Sequence, residues 1–122
     1  MIKGITYGDT LSFHTLGKKD GLIFKDDISY IGYYENNILI GIAGYEEKSK
    51  KAILRCTYVL RDYRGKGIYG ELVRYRLDIL KSKGFNVVES TCTEKSLYYH
   101  LRRGAKIIKS YKKYTKIKYE NL

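Results

Sequence analysis

The sequence predicts a mixed α/β (α+β) fold: a strand meander, a helix, a strand, a short helix and a terminal hairpin. Three observations carry this. β-rich runs joined by short turns occupy residues 29–60. A glycine- and cation-rich stretch, Arg64-Gly65-Lys66-Gly67-Ile68-Tyr69-Gly70, then opens an amphipathic run. Another strand-like run follows, and a crossover helix between two strands of one sheet implies that they lie parallel.

The elements follow in order. Ile2 to Tyr7 reads as a strand, Gly8-Asp9-Thr10 as a turn, and Asp9 or Thr10 as a cap for a short helix through Leu16. Gly17 to Asp27 is polar and irregular, with Leu22-Ile23-Phe24 as an apolar plug. Ser29 to Glu35 and Ile38 to Tyr45 flank Asn36-Asn37, a pair that tolerates the positive φ angles of a tight hairpin turn. A longer turn from Tyr45 to Lys50 leads into Lys51 to Leu60, the third strand of an antiparallel meander.

Beyond the glycine stretch, Tyr69, Leu72, Val73, Leu77 and Leu80 recur at the spacing of one helical face. Lys81 and Lys83 suit the negative end of the helix dipole, and Gly84 suits the position just past it. Phe85 to Ser90 reads as a strand parallel to the third meander strand. Thr91 with Glu94 matches a capping box for a short helix through Arg103, ended by Gly104. Ala105 to Ser110 and Tyr114 to Tyr119 form a last hairpin.

The totals bound the class. At 122 residues, with 43% hydrophobic and 30% charged residues, the chain reads as one globular domain, 1–122, rather than a disordered one. No apolar run reaches the length of a membrane span, and the N-terminus lacks the apolar core of a signal peptide, so a cytoplasmic protein without membrane attachment is expected. Cys56 and Cys92 are too few for a disulfide framework or a metal quartet; reduced, packed thiols and no metal are expected. A formal charge of +11 implies affinity for polyanions, whether a cofactor, a nucleic acid or an acidic protein face. A lysine-rich solvated surface is the plain alternative.

The glycine stretch is the chemical centre of the sequence. Glycines let the backbone approach a ligand closely and turn amide N–H groups toward it. The helix that follows adds unpaired N–H groups and a positive dipole end, and Arg64 and Lys66 add full charges. A polyphosphate guest is expected.

At this point the chain resembles the GNAT superfamily, the acyl-CoA N-acyltransferases. The resemblance rests on Val59-Leu60-Arg61-Asp62-Tyr63-Arg64-Gly65-Lys66-Gly67-Ile68, on the helix ending Lys83-Gly84-Phe85 before a strand, and on the short helix Glu94 to Arg103 with Gly104 before a hairpin. It implies a splayed, mostly antiparallel sheet with helices on both faces and one parallel strand pair at a cofactor cleft. It also implies acetyl-CoA as cosubstrate, no metal, and direct acyl transfer to an amine. The loop amides of Arg64, Gly65, Lys66, Gly67, Ile68, Tyr69 and Gly70 would hold pyrophosphate. The backbone around Tyr58, Val59 and Leu60 would pair with the pantetheine arm like an added strand, and Thr93 is a further cofactor-binding position. The chain departs from the usual pattern at Tyr69, where a glycine or alanine is common. It also departs at Thr93, where asparagine is common, and at His100, where a tyrosine commonly protonates the departing thiolate. Ala105 follows Gly104 where phenylalanine is usual.

For the acid, His100 has an ordinary pKa in range, with Tyr99 and Tyr98 as adjacent candidates. The spacing of Tyr98 with Leu97 and Leu101 also fits core packing. For the base, Glu89, Glu46 and Glu35 are the carboxylates near the expected strands, and a water chain is the other route. The short front segment suggests an open acceptor pocket, which suits a macromolecular amine, although dimerisation would close it. Leu101 to Leu122 carries eight Lys or Arg against one Glu120, and Lys116 and Lys118 share a strand face. Three readings follow: an acetyl-CoA-dependent N-acetyltransferase acting on a protein, small amine or nucleic acid; a nucleic-acid-binding or nucleic-acid-modifying protein on the same fold; and a non-catalytic CoA-binding or interaction module.

Overall fold

The computed structural model describes residues 1–122. Its elements are β1 (Ile2–Ile5), a 3₁₀ turn (Gly8–Phe13), α1 (His14–Lys19), β2 (Ser29–Glu35), β3 (Ile38–Glu47) and β4 (Ala52–Val59). They continue with a short 3₁₀ turn (Arg61–Tyr63), α2 (Ile68–Ser82), β5 (Val87–Cys92), α3 (Glu94–Arg102), β6 (Lys106–Ser110) and β7 (Thr115–Glu120). The strands form one seven-stranded sheet in the order β1-β2-β3-β4-β5-β7-β6. Every pairing is antiparallel except β4 with β5. The mixed α/β class and the one parallel pair expected from the sequence are both present.

The front of the chain differs in detail from its sequence reading. β1 stops at Ile5 because Thr6 and Asp9 close on each other. The Thr6 N–H donates to Asp9 Oδ2 at 3.0 Å, and the Asp9 N–H donates to Thr6 Oγ1 at 3.2 Å. The helix runs three residues past Leu16, through Gly17, which is buried because the Phe24 ring occupies the space a side chain there would need. Of the expected apolar plug only Phe24 is buried; Ile23 faces solvent.

The meander follows the sequence closely. Asn36 and Asn37 take φ angles of 52° and 66°, as the tight turn requires. Two register shifts change which face the side chains use. One lies between Tyr33 and Tyr34, and the other lies on the β3–β4 pairing between Ile42 and Gly44. At the second, Ile42 pairs with Tyr58 and Gly44 with Arg55, so Ala43 stands opposite both Cys56 and Thr57. Cys56 absorbs the extra residue in a left-handed conformation, φ 42°. Leu54 therefore packs toward α2, while Tyr58 packs toward the opposite face.

Helices cover both faces. Ile68, Leu72, Val73 and Leu80 of α2 pack on Ile31, Ile40, Ala43 and Leu54. On the other face Phe13 and Phe24 pack on Tyr30, Ile42 and Tyr58. β5 begins at Val87 rather than Phe85, because the helix end takes two more residues: Gly84 turns left-handed at φ 91° and the Phe85 N–H donates back to Leu80 C=O. The expected capping box at Thr91 is absent. β5 runs through Cys92, so the N-cap of α3 is Thr93, with no side-chain capping bond.

β4 and β5 are in register only at Ala52 with Val88 and Ile53 with Glu89. Beyond these two pairs the strands part, and the gap between them is the candidate site. α2 holds that gap open from behind, so its packing sets the geometry. Leu72 is fully buried, with its Cδ1 3.4 Å from where a side chain on Gly41 would begin. Leu72→Ala is expected to cost about 2–5 kcal/mol of unfolding free energy in urea titration, with the urea dependence of ΔG unchanged.

Candidate active site

The parting strands bound a cleft of about 580 Å³. Its walls are Leu54 to Val59 of β4 on one side, and Ser90, Thr91 and the first turns of α3 on the other. The glycine loop borders it, and Asp20 and Leu22 reach it from the front segment. That segment is tied down where it passes the bulge: the Cys56 thiol donates to Ile23 C=O at 2.8 Å. Burial pushes the Cys56 thiol above its ordinary pKa, so it stays a neutral packing group.

The loop has the shape its glycines predict. Gly65 and Gly67 are left-handed, at φ 79° and 83°, and a side chain at either would meet nothing within 4 Å. Space therefore opens where every other residue type would place a Cβ. Gly67 is the N-cap of α2 and has no side-chain capping bond, so the first amides of the helix lack a side-chain acceptor. Arg64, Gly65, Gly67, Ile68 and Tyr69 line the cleft, as do Tyr58, Val59 and Thr93.

Three residues expected at the cofactor, Leu60, Lys66 and Gly70, are not among those lining this cleft. The Lys66 ammonium sits 5.4 Å from the centre of the Tyr63 ring. The Leu60 N–H donates to Ile40 C=O. Gly70 lies under Tyr99, whose hydroxyl is 2.8 Å from the position of a Cβ there, so this glycine makes room for a tyrosine. Arg64 lines the cleft but folds back: its Nε donates to Val59 C=O at 2.8 Å and Nη2 lies 3.6 Å from Asp20 Oδ2.

The expected acids separate. Tyr98 is 67% exposed, beneath the Arg102 guanidinium, so neither core packing nor a place in the cleft fits it. Tyr99 lines the cleft, with the Arg103 guanidinium 3.7 Å from its ring centre. His100 is buried between two tyrosines, its Nε2 3.0 Å from Tyr69 Oη and its Nδ1 2.5 Å from Tyr119 Oη. Burial, helped by the charges of Arg76 and Arg103, lowers the imidazole to about 4. His100 is thus neutral at physiological pH, linking two phenols rather than standing ready as an imidazolium. Burial also raises both Tyr69 and Tyr119.

The expected bases lie outside the cleft. Glu89 stands at the closed end, where β4 and β5 are still paired, and takes Lys51 at 3.1 Å and Lys116 at 3.3 Å. Partial burial pushes its carboxyl up, but the two lysines outweigh that and leave it below the usual range. Glu46 is lowered to about 2 by hydrogen bonds from Lys48 and Arg55. Glu35 ends β2 at the hairpin. Asp20 is the one carboxylate on the cleft wall, and it faces Arg64.

Sequence reasoning missed Arg76 and Thr57. Both line the cleft, and Arg76 is 1% exposed on the inner side of α2. The signal was available: position 76 falls four residues after Leu72 and four before Leu80, on the apolar stripe itself.

His100 makes a pH prediction. Its folded value of about 4 is depressed from the ordinary 6.5, so between the two the unfolded chain binds the extra proton. Stability should fall as pH drops below about 6.5 toward 4. His100→Gln should flatten that part of the profile, read as the urea midpoint at each pH between 5 and 6.5.

Comparisons with known proteins agree with this geometry. Residues 6–104 match the model of the acetyltransferase (GNAT) family. No curated protein sequence matches the chain. Among solved structures, the PaiA N-acetyltransferase of Thermoplasma acidophilum in complex with coenzyme A superposes with a TM-score of 0.81 at 15% identity, covering 98% of both chains. The IAA acetyltransferase of Bacillus cereus gives 0.80 at 15% identity over 98% of both chains. A GNAT family acetyltransferase from Elizabethkingia anophelis with acetyl-CoA bound gives 0.74 at 13% identity, over 98% of this chain and 97% of that one. At such identities the structural likeness is one of fold, while the sequence match spans most of the chain. With its two-pair parallel contact, open cleft and glycine-headed helix, the chain belongs to the GNAT acetyltransferase family.

Proposed function

We propose that residues 1–122 act as one acyltransferase domain that moves an acetyl group from acetyl-CoA to a primary amine. One observation carries this reading. Two left-handed glycines at the head of α2 leave empty space beside a β4 edge that β5 has abandoned, within one cleft. An anion at the helix head joined to an extended, amide-bearing arm along β4 fits that pairing.

In this reading the amine nitrogen attacks the thioester carbonyl carbon, and the C=O pair moves onto oxygen. The tetrahedral species collapses, the C–S bond breaks, and the electron pair leaves on sulfur. The amine loses a proton and the thiolate gains one. Tyr69, on the cleft wall at the head of α2, is the phenol this reading assigns to the sulfur. When His100 Nδ1 accepts from Tyr119, its Nε2–H donates to the Tyr69 oxygen, which leaves the Tyr69 hydroxyl its own hydrogen to donate, beside Ser96 on the cleft wall. Tyr99 is the neighbouring alternative, edge-on to Tyr69 at 5.4 Å. With no unengaged carboxylate on the wall, the amine proton leaves through water. The short front segment leaves the acceptor side open, which favours an amine on a macromolecule. The two thiols, Cys56 and Cys92, unpaired with each other, fit the cytoplasm as the place of action.

The missing base also favours a second reading, a CoA-binding module without turnover. Release of thiol from acetyl-CoA in the presence of amines separates the two. The nucleic-acid reading has less support, because part of the basic stripe is engaged within the sheet: Lys106 of β6 and Lys118 share Glu120, and Lys116 shares Glu89 with Lys51.

Two substitutions test the main reading. Gly67→Leu fills the empty space at the helix head, so calorimetry should lose acetyl-CoA binding while the fold persists with a loss of about 1 kcal/mol. Unchanged affinity would remove the loop from the site. Tyr69→Phe should keep acetyl-CoA affinity and lower kcat roughly 10–100-fold; an unaltered kcat would assign the thiolate's proton to solvent.

A further inference from the structure

Arg76 is the only side chain with a full charge that the fold buries completely. Its guanidinium donates Nε to Leu72 C=O at 3.1 Å, and Nη1 to Gly44 C=O at 2.9 Å and Arg55 C=O at 3.2 Å. Nη2 donates to Thr57 Oγ1 at 2.8 Å. The carbonyls of Gly44 and Arg55 flank the β4 bulge, so two hydrogen bonds of Arg76 are explained by backbone groups there.

The charge is not explained by them. A neutral amide side chain can donate to carbonyls, whereas an unpaired buried cation carries a desolvation cost. No carboxylate pairs with Arg76. The groups that face it are the phenols of Tyr69, Tyr99 and Tyr119, the Cys56 thiol and the His100 imidazole. None is a carboxylate; burial pushes Tyr69, Tyr119 and Cys56 up and His100 down, each toward its neutral form, while the guanidinium, lowered by burial only to about 10, stays protonated. The cleft floor thus holds one uncompensated positive charge next to Thr57. A hydroxyl oxygen that accepts from a guanidinium keeps its own hydrogen for another partner. Thr57 lines the cleft beside the bulge, so that hydrogen is available to a guest.

We infer that Thr57, backed by Arg76, is a built site for the negative charge that appears first on the thioester oxygen and then on the sulfur of coenzyme A. This deepens the acyltransferase reading and rests on it. The Thr57 O–H supplies the contact. Arg76 acts as a positioning residue that fixes the direction of the hydroxyl and supplies the field. A charge that has no partner in the resting cleft and gains one during acyl transfer favours the transition state over the ground state. The product thiolate meets the same field, which makes the site measurable without knowing the acceptor.

The test is an ultraviolet titration of the thiol of coenzyme A bound to the full chain, as a difference against the protein alone, after calorimetry has established binding. The wild type should hold at least a tenfold larger thiolate-to-thiol ratio than free coenzyme A at the same pH. Thr57→Val and Arg76→Gln should return the ratio toward the free value while coenzyme A affinity, measured at neutral pH where the thiol form predominates, stays within about threefold, and Thr57→Ser should retain the wild-type ratio. Should Arg76→Gln fail to fold, Thr57→Val decides, since Thr57 is only half-buried. Coenzyme A that binds but titrates as it does free in solution would overturn this inference and leave the acyltransferase reading standing. So would a Thr57→Val protein with the wild-type ratio. Absence of coenzyme A binding to the wild type would overturn both.

Discussion

β4 parts from β5 after two residue pairs, and the rest of the molecule is arranged around that separation. A sheet that opens in its middle frees backbone groups and exposes apolar edges, and both need partners. α2 covers the apolar side of the opening. At the bulge, the Arg55 carbonyl takes Arg76; farther along, the Val59 carbonyl takes Arg64. Two guanidinium groups thus engage carbonyls of the strand that lines the gap. The same gap is the cleft, so what holds the fold open and what defines the site are one feature.

Much of this was legible in the sequence. Alternation, the Asn36-Asn37 turn and the 3.6-residue stripe of α2 follow from local rules, and the crossover imposes the parallel pair. Glycines at 84 and 104 marked helix ends because left-handed φ angles strongly favour that residue. What failed was non-local. Thr91 looked like a cap because its spacing from Glu94 was right, but pairing of β5 with β7 carried the strand through to Cys92. Glu89 looked free because nothing nearby in sequence predicts that Lys51 and Lys116 converge on it.

The candidate cleft was legible in outline, and the side-chain contacts within it were not. The glycine loop announced itself through composition. The roles around His100 did not, since they depend on a coincidence of three elements: Tyr69 at the start of α2, His100 in α3 and Tyr119 in β7. The large residue at Tyr69 looked like an obstruction in the loop. In the fold its ring runs into the cleft to meet His100, and the small residue beside it, Gly70, admits Tyr99 instead. A substitution that seems to break a local pattern is here one part of a packed aromatic group.

Arg64 already occupies a carbonyl on the cleft wall. Its Nε–H already satisfies the Val59 carbonyl, and Asp20 holds its other end. A guest amide that pairs with this carbonyl exchanges one donor for another, so the hydrogen bond itself contributes little to affinity. A guanidinium freed by such an exchange keeps its charge at the cleft border, so an anionic guest would meet a cation there that a neutral guest could not use.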